Sequence, residues 1–135
     1  MHPYIHARRT PDKPAYVMAG SGEVVTYRQL DERSNRIARL FRASGLKPGD
    51  HVAILMENNP RFYEICWGAQ RSGLVYTPAS SRLTAAEVDY IVGDCGARLI
   101  ITSKAMAATA AELRPLKPGA RRRLMVDGAI EGYEA

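Results

Sequence analysis

The chain has 135 residues and a mass of 14.9 kDa, enough for one domain with a buried core and short for a large catalytic apparatus. Hydrophobic and charged fractions of 46% and 24% belong to a folded globular protein and exclude an intrinsically disordered one. A net charge of +5 suits nucleic acid, anionic lipid or a phosphorylated ligand, yet arginines interleaved with acids, as in DERSNRIARLFR, describe a solvated helix face, and no nucleic-acid motif accompanies them.

The start, MHPYIHARRTPDKPAY, lacks the apolar core of a signal peptide, and no apolar run reaches the roughly 18 residues of a membrane span. A cytoplasmic protein without a transmembrane segment is expected. His2 and His6 stand at i and i+4, but Pro3 and the terminal position argue against a helix there, and no third metal ligand is evident. Next, AYVMAGSGEVVTY predicts a hairpin, two short strands about Gly20, Ser21 and Gly22, which supply the positive φ of a tight turn. Thr26 and Gln29 form a capping box. The helix they open carries Tyr27, Leu30, Ile37, Ala38 and Phe41 at helical spacing and stops at Gly45.

Lys47 to Asp50 predict a turn, and HVAILM a strand buried on both faces. Asn59 is placed to cap a helix with Pro60 in its first position, turning Phe62, Ile65, Cys66, Trp67 and Ala69 inward and ending at Gly73. The pattern repeats: LVYTP reads as a strand stopped by Pro78, and Thr84 with Glu87 as a second capping box for a helix holding Val88, Ile91 and Val92. ARLIIT is a third strand. Ser103 is expected to cap an Ala-rich helix through Leu113, closed by Pro115 and Pro118, before the last strand, RRLMVD. Alternating strands and helices imply β-α-β units, hence an α/β fold with a mainly parallel sheet covered by helices on both faces. Residues 1–46 form the hairpin and long helix, 47–127 the Rossmann-like part.

Such a sheet binds ligands beyond the carboxyl ends of its strands. The loops there, NNP, PASSRLT and TSK, contain no G-x-G-x-x-G or Walker-type pattern, and GSG at Gly20 leads into a strand rather than a helix. Cys66 and Cys95 lie far apart, outside any C-x-x-C pair, and read as free thiols. His51 reads as structural. Glu57, Asp89 and Asp94 have no spacing that forces a pair, and Ser80 and Ser81 lack a base. Arg82 differs, because it stands between a strand end and a capped helix, where amides and the helix dipole favour an anion. Its alternative role is bonding loop carbonyls or a neighbouring acid.

The series TPDKPAYV, VTYRQLDERSNRIARLF and GLKPGDHVAILMENNPRFYEICWGAQRSGLVYTPASSRLTAAEVDYIVGDCGARLIITS resembles the beginning of the adenylate-forming (AMP-binding) superfamily, most closely its fatty-acyl-CoA synthetase branch. The resemblance runs from about Thr10 to Ser103, and VTYRQL, GLKPGDHVAI and SGLVYTPASSRLTAAEV are its most specific parts. It implies an ATP-dependent ligase in which a carboxylate, here a fatty acid, attacks the α-phosphate of ATP to give an acyl-adenylate that CoA then captures, with Mg2+ as the metal. The phosphate loop, the adenine, ribose and magnesium contacts and the catalytic lysine of such enzymes fall outside the matched stretch. The chain by itself is therefore expected to be an inactive N-terminal fragment that binds no cofactor tightly and can self-associate through faces meant for the rest of the enzyme. In the family the segment at PASSRLT reads closer to P-I-N-x-R-L, so Arg82 aligns with an arginine near the CoA phosphates, while Ala79 and Ser80 depart from the Ile-Asn pair. An aryl- or amino-acid-activating relative, and a free-standing flavodoxin-like binding module, are the alternatives.

Overall fold

The computed structural model describes residues 2–115 and 122–135. In chain order the elements are α1 (Pro3–Arg9), β1 (Pro14–Val17), β2 (Val24–Thr26), α2 (Tyr27–Ala43), β3 (His51–Leu55), α3 (Arg61–Arg71), β4 (Val75–Ala79), α4 (Ala85–Asp94), β5 (Leu99–Ser103), a 3-10 turn (Lys104–Met106), α5 (Ala107–Glu112) and β6 (Arg122–Val126). Pro118 and Arg121 lie outside the described residues.

β1 and β2 pair antiparallel as the expected hairpin, although only Gly22, at φ 73°, takes the left-handed conformation there. Both capping boxes form: Thr26 with Gln29 opens α2, and Thr84 with Glu87 opens α4. Two expected starts differ. α1 is helical despite the terminal position, because Pro3 occupies a first-turn site whose N–H has no intrahelical partner and the His2 ring accepts the Tyr4 N–H at 3.2 Å. α3 begins one residue later than expected; Asn59 still caps it, its Oδ1 accepting the Arg61 N–H at 2.9 Å, while Pro60 sits before the first helical residue.

The main sheet has four parallel strands in the order β4-β3-β5-β6, with His51 opposite Val75 and Val52 opposite Leu99. Pro78 does not stop β4, which runs on to Ala79. The reason is the pairing: the Val75 N–H donates to the Asp50 carbonyl on the β3 side. By the alternation of a strand, the nitrogen of Pro78 faces away from β3, where no ladder bond is lost. β6 is protected differently, since the Met125 N–H donates to the Glu134 carbonyl and the Glu134 N–H to that of Arg123.

Side chains alternate between two apolar layers. Val52, Ile54, Leu99 and Ile101 face α2 and α3, packing on Phe41, Ile65 and Ala69. Ala53, Leu55 and Ile100 face α4 and α5, packing on Val88, Val92 and Ala110. Helices therefore cover both faces, as the alternating pattern implies. α2 approaches α3 closely at Gly68, where a Cβ would lie 2.5 Å from Ile37 Cγ2. Between the same helices, buried Glu64 accepts from Arg33 at 2.9 Å and Arg61 at 3.1 Å. Trp67 is only partly buried; its ring meets the His2 imidazole edge-on at 4.8 Å, which fastens α1 to α3.

Candidate functional site

From β3 the chain first passes to β4 on one side, then crosses back to β5 on the other. α3, after β3, packs on one face of the sheet, while the 3-10 turn and α5, after β5, pack on the opposite face. The loops leaving β3 and β5 must diverge, and divergence at a strand-order reversal opens a crevice at the carboxyl ends.

Polar side chains gather at that point. The Ser103 hydroxyl, at the end of β5, donates to Glu57 Oε2, just past β3. Asn59 Nδ2 donates to Glu57 Oε1 at 3.0 Å and to Asp127 Oδ2, beyond β6, at 3.3 Å. Burial works against ionisation of Glu57, but the hydrogen bonds from Ser103 and Asn59 outweigh it and hold its carboxyl below the usual range. Ser103 thus serves Glu57 rather than capping a helix, and the chain after it makes a 3-10 turn before a shorter α5 that ends at Glu112.

Two clefts flank this cluster, sharing Met56, Glu57, Asn58 and Phe62. One, of about 840 Å³, lies between that loop and the hairpin turn, Val17 to Ser21. Tyr16 holds its wall, donating to the Pro60 carbonyl at 2.6 Å. The other, of about 640 Å³, lies toward the β4–α4 loop and is lined by Pro78, Ala79, Ser80, Ser81 and Arg82.

Arg82 is exposed on the rim of this second cleft. Its backbone N–H donates to Ser80 Oγ at 3.3 Å, and among the described residues its guanidinium has no hydrogen-bond or ion-pair partner. A free guanidinium beside two hydroxyls, two residues before the cap of α4, fits a phosphate group in kind; Glu57 on the same cleft opposes it. The carboxylates do not fit magnesium: Glu57 and Asp127 each give an oxygen to the Asn59 amide, and no three His, Cys, Asp or Glu gather among the described residues.

The remaining candidates are spread out. Burial pushes the Cys66 thiol up to about 11, which keeps it protonated and unreactive at neutral pH. Asp89, on α4, accepts the Arg114 N–H at 3.0 Å. The His2 and His6 rings lie on Trp67 and Tyr27. Glu57 is visible in the sequence as a carboxylate near a loop end; Asn59 stands two residues on, but its other partner, Ser103, 46 positions away, has no local signal. Glu64 carried one only faintly, as an acid among the inward positions of a helix.

A family model described as AMP-binding enzyme matches residues 4–132. Among curated proteins, the fatty acid–acyl-carrier-protein ligase ScoC of Streptomyces coeruleorubidus is 45% identical over 95 residues, covering 70% of this chain and 18% of that protein. Feruloyl-CoA synthase of an Amycolatopsis species is 35% identical over 111 residues, covering 82% of this chain and 22% of that protein. Among solved structures, the Mycobacterium tuberculosis fatty acyl CoA synthetase superposes with a TM-score of 0.84 at 29% identity, over 93% of this chain and 26% of that one. The chain thus spans about a fifth of the length of these curated relatives.

Proposed function

Given that this chain belongs to the AMP-binding enzyme family, we propose that it forms the N-terminal part of an ATP-dependent acid–thiol ligase, with fatty acids as the acid and CoA as the thiol. The observation that carries this reading is the family match across residues 4–132, supported by similarity to a fatty acid ligase and a fatty acyl CoA synthetase. In such a reaction the carboxylate attacks the α-phosphate, pyrophosphate leaves, and the thiol then displaces AMP from the acyl-adenylate. ATP with Mg2+ would supply the adenylyl group that activates the acid.

The residues described above act on the second half. Arg82, its guanidinium free on the cleft rim, pairs with a phosphate of CoA and orients the thiol-bearing arm, with the Ser80 and Ser81 hydroxyls beside it. Electrostatic stabilisation of the transferring phosphate requires groups placed around it. Residues 1–135 contain no phosphate loop of recognisable pattern, so the stretch alone is inactive in this reading. Similarity to feruloyl-CoA synthase, and to gramicidin S synthase 2 of Brevibacillus brevis at 32% identity, supports an aryl- or amino-acid substrate as the second reading.

Acid-dependent ATP–pyrophosphate exchange, measured on the complete enzyme with fatty, aryl and amino acids, separates these substrate classes. Exchange with a fatty acid is expected; exchange only with the others would replace the first reading by the second. Arg82→Ala in that enzyme should raise KM for CoA about tenfold or more, the loss of one charge-assisted pair, and leave the exchange rate unchanged. An unaltered CoA dependence returns Arg82 to a loop residue.

A further inference from the structure

α2 turns Leu30, Ala38 and Phe41 into the core, and its opposite side carries Arg28, Glu32, Arg36, Arg39 and Arg42, all exposed. At helical spacing these five positions fall within about a third of the circumference and run about 20 Å along the axis. Arg28 is neutralised by Asp12 at 3.0 Å. Among the described residues, the guanidinium groups of Arg36, Arg39 and Arg42 have no ion-pair or hydrogen-bond partner. Glu32, one turn before Arg36, offsets a single charge without pairing. Arg42 lies in the last turn, where it complements the helix dipole; that accounts for Arg42 and leaves Arg36 without a structural task.

The kind of partner follows from what the stripe lacks. The exposed large hydrophobic side chains, such as Tyr4, Val17 and Tyr90, all lie on other elements. A protein interface is centred on buried aromatic or aliphatic anchors, and α2 offers none. A flat anionic bilayer requires only cations within a Debye length of its surface, each strengthening attachment about fivefold. We propose that the Arg36, Arg39 and Arg42 stripe docks the protein on anionic lipid bilayers. This attachment involves neither cleft, so its test is separate from the tests of the ligase reading.

Co-sedimentation of the protein with phosphatidylcholine vesicles, with and without phosphatidylglycerol, tests it. Binding is expected only with phosphatidylglycerol, falling as salt rises. Replacing the three arginines together (Arg36→Gln, Arg39→Gln, Arg42→Gln) should weaken it about a hundredfold, while an unchanged circular dichroism spectrum reports an intact fold. Glu32→Lys, which cannot act by unfolding the site it strengthens, should tighten it by about twentyfold, an opposing charge being removed and a cation added. The equal-charge control Arg9→Gln, Lys13→Gln, Lys104→Gln should lose far less. No binding to phosphatidylglycerol vesicles, an equal loss in the control, or equally strong stripe-dependent binding to polyglutamate, the mark of an acidic protein partner, would overturn the proposal.

Discussion

The Ser103 hydroxyl and the Glu57 carboxylate meet across the carboxyl ends of β5 and β3, joining the two loops that diverge at the strand-order reversal. Ser103 is only 1% exposed, so its hydroxyl has little access to water as a substitute partner. Ser103→Ala should lower unfolding stability by about 1–2 kcal/mol, the range for a hydrogen bond to a charged group after allowing for hydration of the carboxylate. Because the bond holds the Glu57 carboxyl below its ordinary range, its contribution is present above the unfolded carboxylate pKa and is lost as pH falls through the folded value. Urea unfolding at neutral and acidic pH measures both effects; a wild-type to variant difference that did not shrink in acid would sink this account.

His2 offers a second titration, with its own reporter. The imidazole is held below the ordinary histidine value by burial first and then by the nearby Arg71 guanidinium, with Asp31 on α2 acting the other way and the chain amino terminus adding to the decrease. The geometry agrees, since the nitrogen that accepts the Tyr4 N–H must be unprotonated to do so. A lowered folded pKa means that the docking contribution of α1 is complete above about pH 6.5 and fades as pH falls through the folded value. Trp67, against which His2 packs, is the only tryptophan of the chain. Its fluorescence should therefore follow this transition, and His2→Asn, a cap that does not titrate, should abolish the pH dependence. A curve identical to wild type in the variant would assign the transition elsewhere.

At Gly68 two opposing effects have comparable size. Alanine would gain about 1 kcal/mol of helix propensity, but its methyl would meet Ile37 Cγ2 at 2.5 Å and the Ser34 carbonyl at 3.2 Å. Overpacking of this kind costs about 1–3 kcal/mol. The backbone oxygen cannot move without α2, so the steric cost wins, and Gly68→Ala should shift the urea midpoint downward at constant slope. An upward shift would mean that α2 and α3 re-space freely.

What the sequence disclosed follows the range of the forces involved. Capping boxes act over three residues and apolar periodicity over a dozen, and both capping boxes, the hairpin and the parallel strands stand where those signals place them. Pro78 misled because its effect depends on whether β4 is central or at an edge, a matter of strand order rather than of neighbours in the chain. Ser103 misleads because a serine after a strand looks like a cap until a carboxylate 46 positions earlier arrives to accept its hydrogen bond. Arg82 stands out by its place between a strand and a cap, and it lies on a cleft rim. Which groups face it across that cleft depends on the β3–α3 loop, which its own segment does not encode.

Pro78 also governs what can be added to this sheet. On the outer margin of β4 the alternation leaves the Tyr76 N–H free to donate, whereas the next outward nitrogen is that of Pro78 and carries no hydrogen. A newcomer aligned along this margin meets a donor at one level and none at the following one, so the ladder it could form is one bond short beside the crevice. Templated stacking of one copy on another along β4 is weakened at Pro78, where a donor is missing.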